Sequence, residues 1–239
     1  MKFRFTGLSD VGLVRSVNQD AYYIDAEGRF FIVADGMGGH AGGEEASRIA
    51  TQVIEAYLVE RWDSVTPTST LLECALLQAN SAIVQDQQKH PQRSDMGTTV
   101  VAVIFREQQV YYAHIGDSRL YRLRSAYLQQ ITQDHTWVAR ALQLGELKPQ
   151  EARTHPYRHI LLQCLGREDV ELIDVEALDV QVGDRLLLCS DGLTEELSDP
   201  VIASHLQHSD IDKAVFALVE AAKAKGGHDN ITALIVAID

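Results

Sequence analysis

The chain has 239 residues, of which 46% are hydrophobic and 23% are charged, and its formal net charge is −13. This composition is typical of a globular protein with an ample apolar core and excludes a disordered chain. The negative charge argues against a general affinity for nucleic acid or anionic lipid.

The first part of the chain predicts strands followed by two helices. Three strands are expected, over residues 3–9, 20–25 and 29–35. A helix is expected from about Glu44, because its apolar residues recur at i, i+3, i+4 and i+7. A second helix is expected from Thr70 to about Gln88, with Thr70 and Glu73 spaced as a capping box.

Four short strands follow, at about residues 98–105, 110–115, 119–123 and 127–131. Their connections are too short for crossover helices, so we expect these strands to be antiparallel neighbours. Residues 134–168 are polar and mixed, and predict an excursion from the core with short helical stretches.

The last part of the chain predicts two strands, two helices and a final strand, near residues 173–180, 184–190, 199 onward, 211–225 and 230–238. No repeat or linker divides the sequence, which predicts one domain over residues 1–239. No apolar run approaches the roughly 18 residues of a membrane helix and the N-terminus does not resemble a signal peptide, so we expect a cytoplasmic protein that does not bind membranes.

Several predicted strands, such as residues 100–105 and 186–189, are apolar on both faces, so both faces must be covered. Together with the antiparallel connections, this predicts an α+β fold in which two packed antiparallel sheets form a β-sandwich flanked by helices on both sides, in four layers. A parallel nucleotide-binding sheet is the alternative, and the predicted hairpins oppose it.

Aspartates stand at the ends of several apolar strands. Three strands run directly into Asp35, Asp117 and Asp191, and Asp229 lies just before the last strand. A single Asp-Gly pair is usually a turn. Asp35-Gly36, however, leads into a glycine-rich segment and a helix, so it does not join a hairpin.

Carboxylates that converge at strand ends would repel one another, and a divalent cation would remove that repulsion. Oxygen ligands suit Mg²⁺ or Mn²⁺. Two such ions roughly 4 Å apart would convert a bridging water to hydroxide at neutral pH and would bind phosphoryl oxygens. Gly36 would let the backbone approach the ion, so that its carbonyl can be a further ligand.

Six segments resemble, in chain order, the motifs of the metal-dependent protein phosphatases of type 2C, also called the PPM family. They are Arg15-Ser16-Val17-Asn18-Gln19-Asp20, Asp35-Gly36-Met37-Gly38-Gly39-His40, Asp95-Met96-Gly97-Thr98-Thr99, Gly116-Asp117-Ser118-Arg119, Ser190-Asp191-Gly192-Leu193 and Asp229-Asn230-Ile231-Thr232. The resemblance spans residues 8–238 and implies a phosphoserine/phosphothreonine phosphatase that requires Mg²⁺ or Mn²⁺.

The resemblance also implies roles by position. Asp35 would bridge two metals, Gly36 would lend its carbonyl to one of them, and Asp191 and Asp229 would complete the other. Asp117, with Asp191, would hold the third metal of bacterial members. Asp20 would orient a metal-bound water without binding the metal.

Other residues are candidates for contact with the substrate. The planar fork of Arg15 could grip two phosphate oxygens, and either His40 or a metal-bound water could protonate the departing serine or threonine oxygen. His159 and Arg167 lie in residues 134–168, which correspond to the mobile flap of the family and are thought to affect substrate choice. The chain resembles short bacterial members, particularly the cyanobacterial kind that acts on phosphorylated PII signalling protein. We expect a monomer that acts on a phosphoprotein substrate.

The sequence can be compared with three alternatives to a metal-dependent phosphatase. The glycines after Asp35 fit a dinucleotide-binding fingerprint, but a second helix rather than a parallel strand follows, and Asp35 would face the pyrophosphate. A cysteine-dependent phosphatase would need a phosphate loop after Cys74, Cys164 or Cys189, and none is present. A non-catalytic homologue that binds phosphoproteins is the remaining alternative, and the complete aspartate set speaks against it.

Overall fold

The structure is a computed structural model that describes residues 2–39, 42–152, 155–170 and 172–239. The strands are β1 Phe3–Asp10, β2 Asp20–Ile24, β3 Phe30–Met37, β4 Gly97–Thr98, β5 Val100–Arg106, β6 Gln109–Ile115, β7 Arg119–Arg124, β8 Tyr127–Gln130, β9 Val175–Ala177, β10 Arg185–Cys189 and β11 Ile231–Ile238. The α-helices are α1 Gly42–Arg61, α2 Thr68–Lys89, α3 Trp137–Gln143, α4 Pro149–Ala152, α5 Asp191–Glu196, α6 Asp199–Leu206 and α7 Ile211–Lys225, with a 3₁₀ turn at Pro91–Arg93.

Two antiparallel sheets form the centre of the molecule. The first has the order β1-β11-β10-β7-β8, and the second has the order β2-β3-β5-β6-β9, with β4 paired to β3. The first and last strands of the chain pair along their whole length, from Phe3 opposite Ile238 to Asp10 opposite Ile231. The two ends of the chain therefore build the same sheet.

Three layers of apolar side chains hold the sheets and helices together. On β3, Phe30 and Ile32 pack with the cluster that contains α1 and α2, whereas Phe31 and Val33 pack with the cluster between the two sheets. This alternation follows from the two-residue period of a strand. Strand β10 packs Leu187 against α5–α7. The α-β-β-α sandwich predicted from the doubly apolar strands is confirmed.

The expectation that the four short strands of residues 98–131 are neighbours is wrong in one place. Strands β5 and β6 pair, as do β7 and β8, but β6 lies in the second sheet and β7 in the first. The chain crosses between the sheets at Gly116, where φ is +99° and a Cβ would lie 2.6 Å from the Thr99 side chain. A short connection of this kind turns a corner of the sandwich rather than closing a hairpin.

One further local prediction is wrong, and one helix was missed. Helix α2 begins at Thr68 after Pro67, and no side chain caps it, so Thr70 is inside the helix and the capping box does not form. The short helix α5 at Asp191–Glu196 was not predicted, because it has only six residues and these show no helical period.

The described parts of the segment 134–168 contain α3, α4 and irregular chain. Thr136 caps α3 by accepting a hydrogen bond from Ala139 N at 3.2 Å. An isolated bridge between Thr136 and Leu161 joins two parts of the segment, and a second bridge between Thr98 and Leu165 joins the segment to β4. Across the described ranges, none of the helices combines the length and the apolarity needed to cross a bilayer.

Candidate active site

Five aspartates from both sheets meet at one end of the sandwich. Each lies within two residues of the end of a strand, and each is half-buried: Asp20, Asp35, Asp117, Asp191 and Asp229. Because β2 and β3 are antiparallel, Asp20 lies directly opposite Asp35 in the second sheet. Asp191 and Asp229 come from the first sheet, where β10 ends and β11 begins beside it. The convergence expected of the strand-end aspartates is thus present.

The carboxyl groups of this cluster repel one another. Burial, and then the charges of Asp20, Asp191 and their neighbours, raise the pKa of Asp35 well above its ordinary value. Burial and the charge of Asp117 do the same to the pKa of Asp191. Burial raises the pKa of both Asp20 and Asp117 to about 6. Like charges at this density need a counter-ion if they are to remain ionised.

A buried hydroxyl network holds Asp20. Its Oδ2 accepts hydrogen bonds from Thr232 Oγ1 at 2.6 Å and from Ser190 Oγ at 2.7 Å. Ser9 Oγ lies 2.7 Å from Thr232 Oγ1 and accepts a hydrogen bond from Asn18 Nδ2. Sequence reasoning gave Ser190 and Thr232 no role, although polar residues in apolar strands were a usable signal.

A second set of hydroxyls links Asp35 to the turn that carries Asp117. Asp35 N donates to Thr99 Oγ1 at 3.1 Å, and the Asp35 carbonyl accepts from Thr98 Oγ1 at 2.9 Å. Thr99 Oγ1 is in turn 2.6 Å from Ser118 Oγ, beside Asp117. These bonds fix two of the aspartates relative to each other across the end of the sandwich.

Gly36 lies against the start of α1. A Cβ on Gly36 would be 2.0 Å from the Gly43 carbonyl oxygen, so no larger residue fits without moving the helix. The need for glycine therefore arises from packing, in addition to the access to the backbone carbonyl that the sequence suggested.

Arg15 is adjacent to the aspartates. Its Nη2 donates to Asp229 Oδ2 at 2.6 Å, while 54% of its side chain remains exposed. The hydrogen bond to Asp229 raises the pKa of Arg15, and the charges of Asp191 and Asp35 contribute to the same effect. The guanidinium thus stands at the rim of the cluster with part of its fork open to solvent.

The structure brings His159 to the cluster and places Arg167 elsewhere. His159 Nδ1 is 3.0 Å from Glu195 Oε1, and one ligand atom each from His159, Asp191 and Glu195 lie within 4.8 Å of one another. The guanidinium of Arg167 instead pairs with Asp169. His40 lies outside the described residues. Glu195 was missed by sequence reasoning because it belongs to the unpredicted helix α5.

The donors of this cluster fit hard divalent cations. They are carboxylate oxygens, and Asp20 Oδ1 is buried without a hydrogen-bond donor among the residues that the structure describes. Crowded oxygen ligands suit Mg²⁺ or Mn²⁺. All three cysteines are free, and burial raises the pKa of Cys189 to about 12, which disfavours the thiolate that a metal would bind.

Binding of such cations should stabilise the folded protein. We expect Mn²⁺ at a hundredfold excess over its Kd to add about 2.7 kcal/mol to the free energy of unfolding, which raises the Tm by about 5–11 °C. Differential scanning fluorimetry with Mn²⁺ and then with EDTA measures the shift, and NaCl at matched ionic strength is the control. An identical Tm in Mn²⁺ and in EDTA would contradict a metal site.

Comparisons with known proteins agree on one family. A family model described as protein phosphatase 2C matches residues 14–231. The serine/threonine protein phosphatase PstP of Mycobacterium tuberculosis is 39% identical over 235 residues, which is 97% of this chain and 44% of that protein. The protein phosphatase PhpP of Streptococcus pneumoniae is 38% identical, over 97% of this chain and 96% of that protein.

Solved structures give the same result. A crystal structure of the M. tuberculosis phosphatase matches with a TM-score of 0.91 and 37% identity, over 99% of both chains. A structure of the catalytic domain of PstP in complex with two manganese ions matches with a TM-score of 0.86 and 36% identity, again over 99% of both chains. The chain thus spans less than half of the length of the full mycobacterial relative and nearly all of its crystallised part.

Proposed function

The chain belongs to the protein phosphatase 2C family, and we propose that it is a metal-dependent serine/threonine phosphoprotein phosphatase whose active site is the aspartate cluster. The observation that carries this proposal is the meeting of five half-buried carboxyl groups from both sheets, with the pKa of Asp35 and of Asp191 raised well above the ordinary value. The manganese ions bound to the catalytic domain of PstP support the same reading.

The metal ligands are assigned by position. Asp35, Asp191, Asp229 and the Gly36 carbonyl would hold two ions. Asp117 with Asp191 would hold a third ion. When bound, Mg²⁺ or Mn²⁺ would neutralise these carboxylates, attract the phosphate and lower the pKa of water.

The remaining residues would bind and orient the reactants. Asp20, fixed by Ser190 and Thr232, would hold the attacking water in line with the phosphorus. Arg15 would bind phosphate oxygens with the open part of its guanidinium. As the bond from phosphorus to the serine or threonine oxygen breaks, His40 would give that oxygen a proton, which it needs because an alkoxide is a poor leaving group.

The substrate would be a protein that carries phosphoserine or phosphothreonine. A phosphorylated PII-like signalling protein is a candidate on the resemblance of the six motifs, and the enzyme would act as a monomer. His159 would face this substrate from the flap segment, whereas the ion pair between Arg167 and Asp169 argues for a lesser role of Arg167.

One assay tests the proposed activity. Hydrolysis of p-nitrophenyl phosphate and of a phosphothreonine peptide is expected with Mn²⁺ and should stop in EDTA. Activity that survives chelation would overturn the metal mechanism. No hydrolysis with any divalent cation, together with retained binding of the phosphopeptide, would favour a non-catalytic phosphoprotein-binding homologue.

A further inference from the structure

Three exposed aliphatic side chains lie within two residues of Arg15 in the chain. In the segment of residues 11–19, here called the Arg15 loop, Leu13 is 63% exposed, Val14 is 64% exposed and Val17 is 45% exposed. Single exposed apolar residues are common on protein surfaces, whereas apolar residues exposed close together are typical of interaction sites. None of the roles assigned above, from metal binding and phosphate binding to protonation of the leaving oxygen, uses them.

Hydrogen bonds hold the backbone of the Arg15 loop on both sides of Arg15. Leu13 N donates to the Gly227 carbonyl at 2.7 Å. The buried side chain of Asn230 donates to the carbonyls of Val11 and Val17, both at 3.0 Å, and accepts from Gln19 N at 2.8 Å. Exposure of the aliphatic side chains is therefore built into an ordered loop.

An ordered loop is suited to binding. Ordering a flexible segment on association costs conformational entropy, and a loop that is already held by hydrogen bonds avoids most of that cost. The apolar side chains can therefore contribute their burial directly to the affinity for a partner.

The position of these side chains indicates which part of a partner they would contact. Val14 is next to Arg15 in the chain, and Leu13 and Val17 are each two residues away, so their Cα atoms lie within about 8 Å of the Arg15 Cα. A phosphoprotein that presents its phosphate to Arg15 must bring the residues beside the phosphate to this surface. The formal net charge of −13, which two or three divalent cations would not cancel, disfavours acidic residues there.

We propose that the Arg15 loop is an apolar docking surface for the residues that flank the phosphoserine or phosphothreonine of the substrate. It selects substrates with aliphatic or aromatic flanking residues over substrates with polar or acidic ones. This inference rests on the proposed phosphatase function and adds a substrate class to it.

Peptides that differ only beside the phosphothreonine test the proposal. We expect kcat/KM with Mn²⁺ to be about tenfold higher for leucine-flanked than for serine-flanked peptide, with the difference mainly in KM, and lowest for glutamate-flanked peptide. In the double variant Leu13→Ser, Val14→Ser, the leucine-to-serine ratio should fall about tenfold, which corresponds to about 1.4 kcal/mol. The serine-flanked peptide separates the apolar effect from charge.

The matched control is Val182→Ser. Val182 is 76% exposed and precedes β10, so it lies at the opposite end of that strand from Asp191. This variant should keep both the wild-type activity and the wild-type ratio. A ratio near one in the wild-type enzyme, or a wild-type ratio in the double variant, would overturn the docking surface.

Two outcomes need a further readout. If the double variant also loses hydrolysis of p-nitrophenyl phosphate, the variant Val14→Thr, which keeps the side-chain shape, is measured instead. A reduced leucine-to-serine ratio in Val14→Thr supports the proposal, and an unchanged ratio overturns it. If wild-type enzyme with Mn²⁺ cleaves neither the peptides nor p-nitrophenyl phosphate, the proposed phosphatase function fails. Equal affinity for the uncleaved peptides would then overturn the docking surface separately.

Discussion

Replacing Asp191 by asparagine is expected to lower kcat/KM for p-nitrophenyl phosphate by about 10³-fold or more, equivalent to about 4 kcal/mol of transition-state stabilisation. The variant keeps the size of the side chain and removes the charge that the proposed function uses to hold a cation. Its Mn²⁺ dependence should weaken together with its rate. Steady-state assays over a Mn²⁺ titration measure both effects.

The same variant should be more stable than the wild-type protein in EDTA. Burial and the charges around Asp191 raise its pKa, so the ionised form is unfavourable in the folded, metal-free protein. Asparagine removes that cost, and the Tm in EDTA should rise while activity falls. A rate close to that of the wild type would contradict the role of Asp191 as a ligand, and a large fall in Tm would attribute the lost activity to unfolding.

Asp63→Asn is the matched control for this charge removal. Asp63 is exposed and follows α1, a helix about 30 Å long that begins beside Gly36. The same chemical change at the far end of that helix should leave the rate, the Mn²⁺ dependence and the Tm in EDTA unaltered.

Replacing Asn230 by alanine is expected to lower the free energy of unfolding by about 3 kcal/mol, because three hydrogen bonds to the backbone of the Arg15 loop are lost and buried groups left unpaired cost about 1–3 kcal/mol each. Asn230 is 4% exposed, so water does not readily replace its side chain. A fall in Tm of about 6–12 °C should follow. The loop would also lose the bonds that fix Arg15, so KM for p-nitrophenyl phosphate should rise about tenfold, or about 1.4 kcal/mol.

Asn80→Ala separates the two effects. Asn80 is 6% exposed and also makes three hydrogen bonds to backbone, but it holds Gly166 and Arg167 rather than the Arg15 loop. It should lower the Tm by a similar amount and leave KM for this small substrate unchanged. Equal rises of KM in both variants would show that general loosening of the fold, and not displacement of Arg15, is responsible.

The predictions that succeeded rest on patterns among residues that are close in the sequence. The doubly apolar strands indicated a covered sandwich, because the two-residue period of a strand assigns its side chains to two faces. The aspartates at the ends of those strands indicated a cation site, because carboxylates collected in one place repel. Both inferences use only the residue type and its position along one strand or turn.

Tertiary structure alone decided which groups touch each other. Thr232 and Ser190 bind Asp20 across separations of 212 and 170 residues, and no local pattern records such partners. The crossing at Gly116 was equally hidden, because a short connection between two strands can close a hairpin or pass to a second sheet. The sequence by itself determined the chemistry of the aspartate cluster. The tertiary structure decided which side chains hold the aspartates in place, because hydrogen-bond partners depend on packing between elements that are distant in the chain.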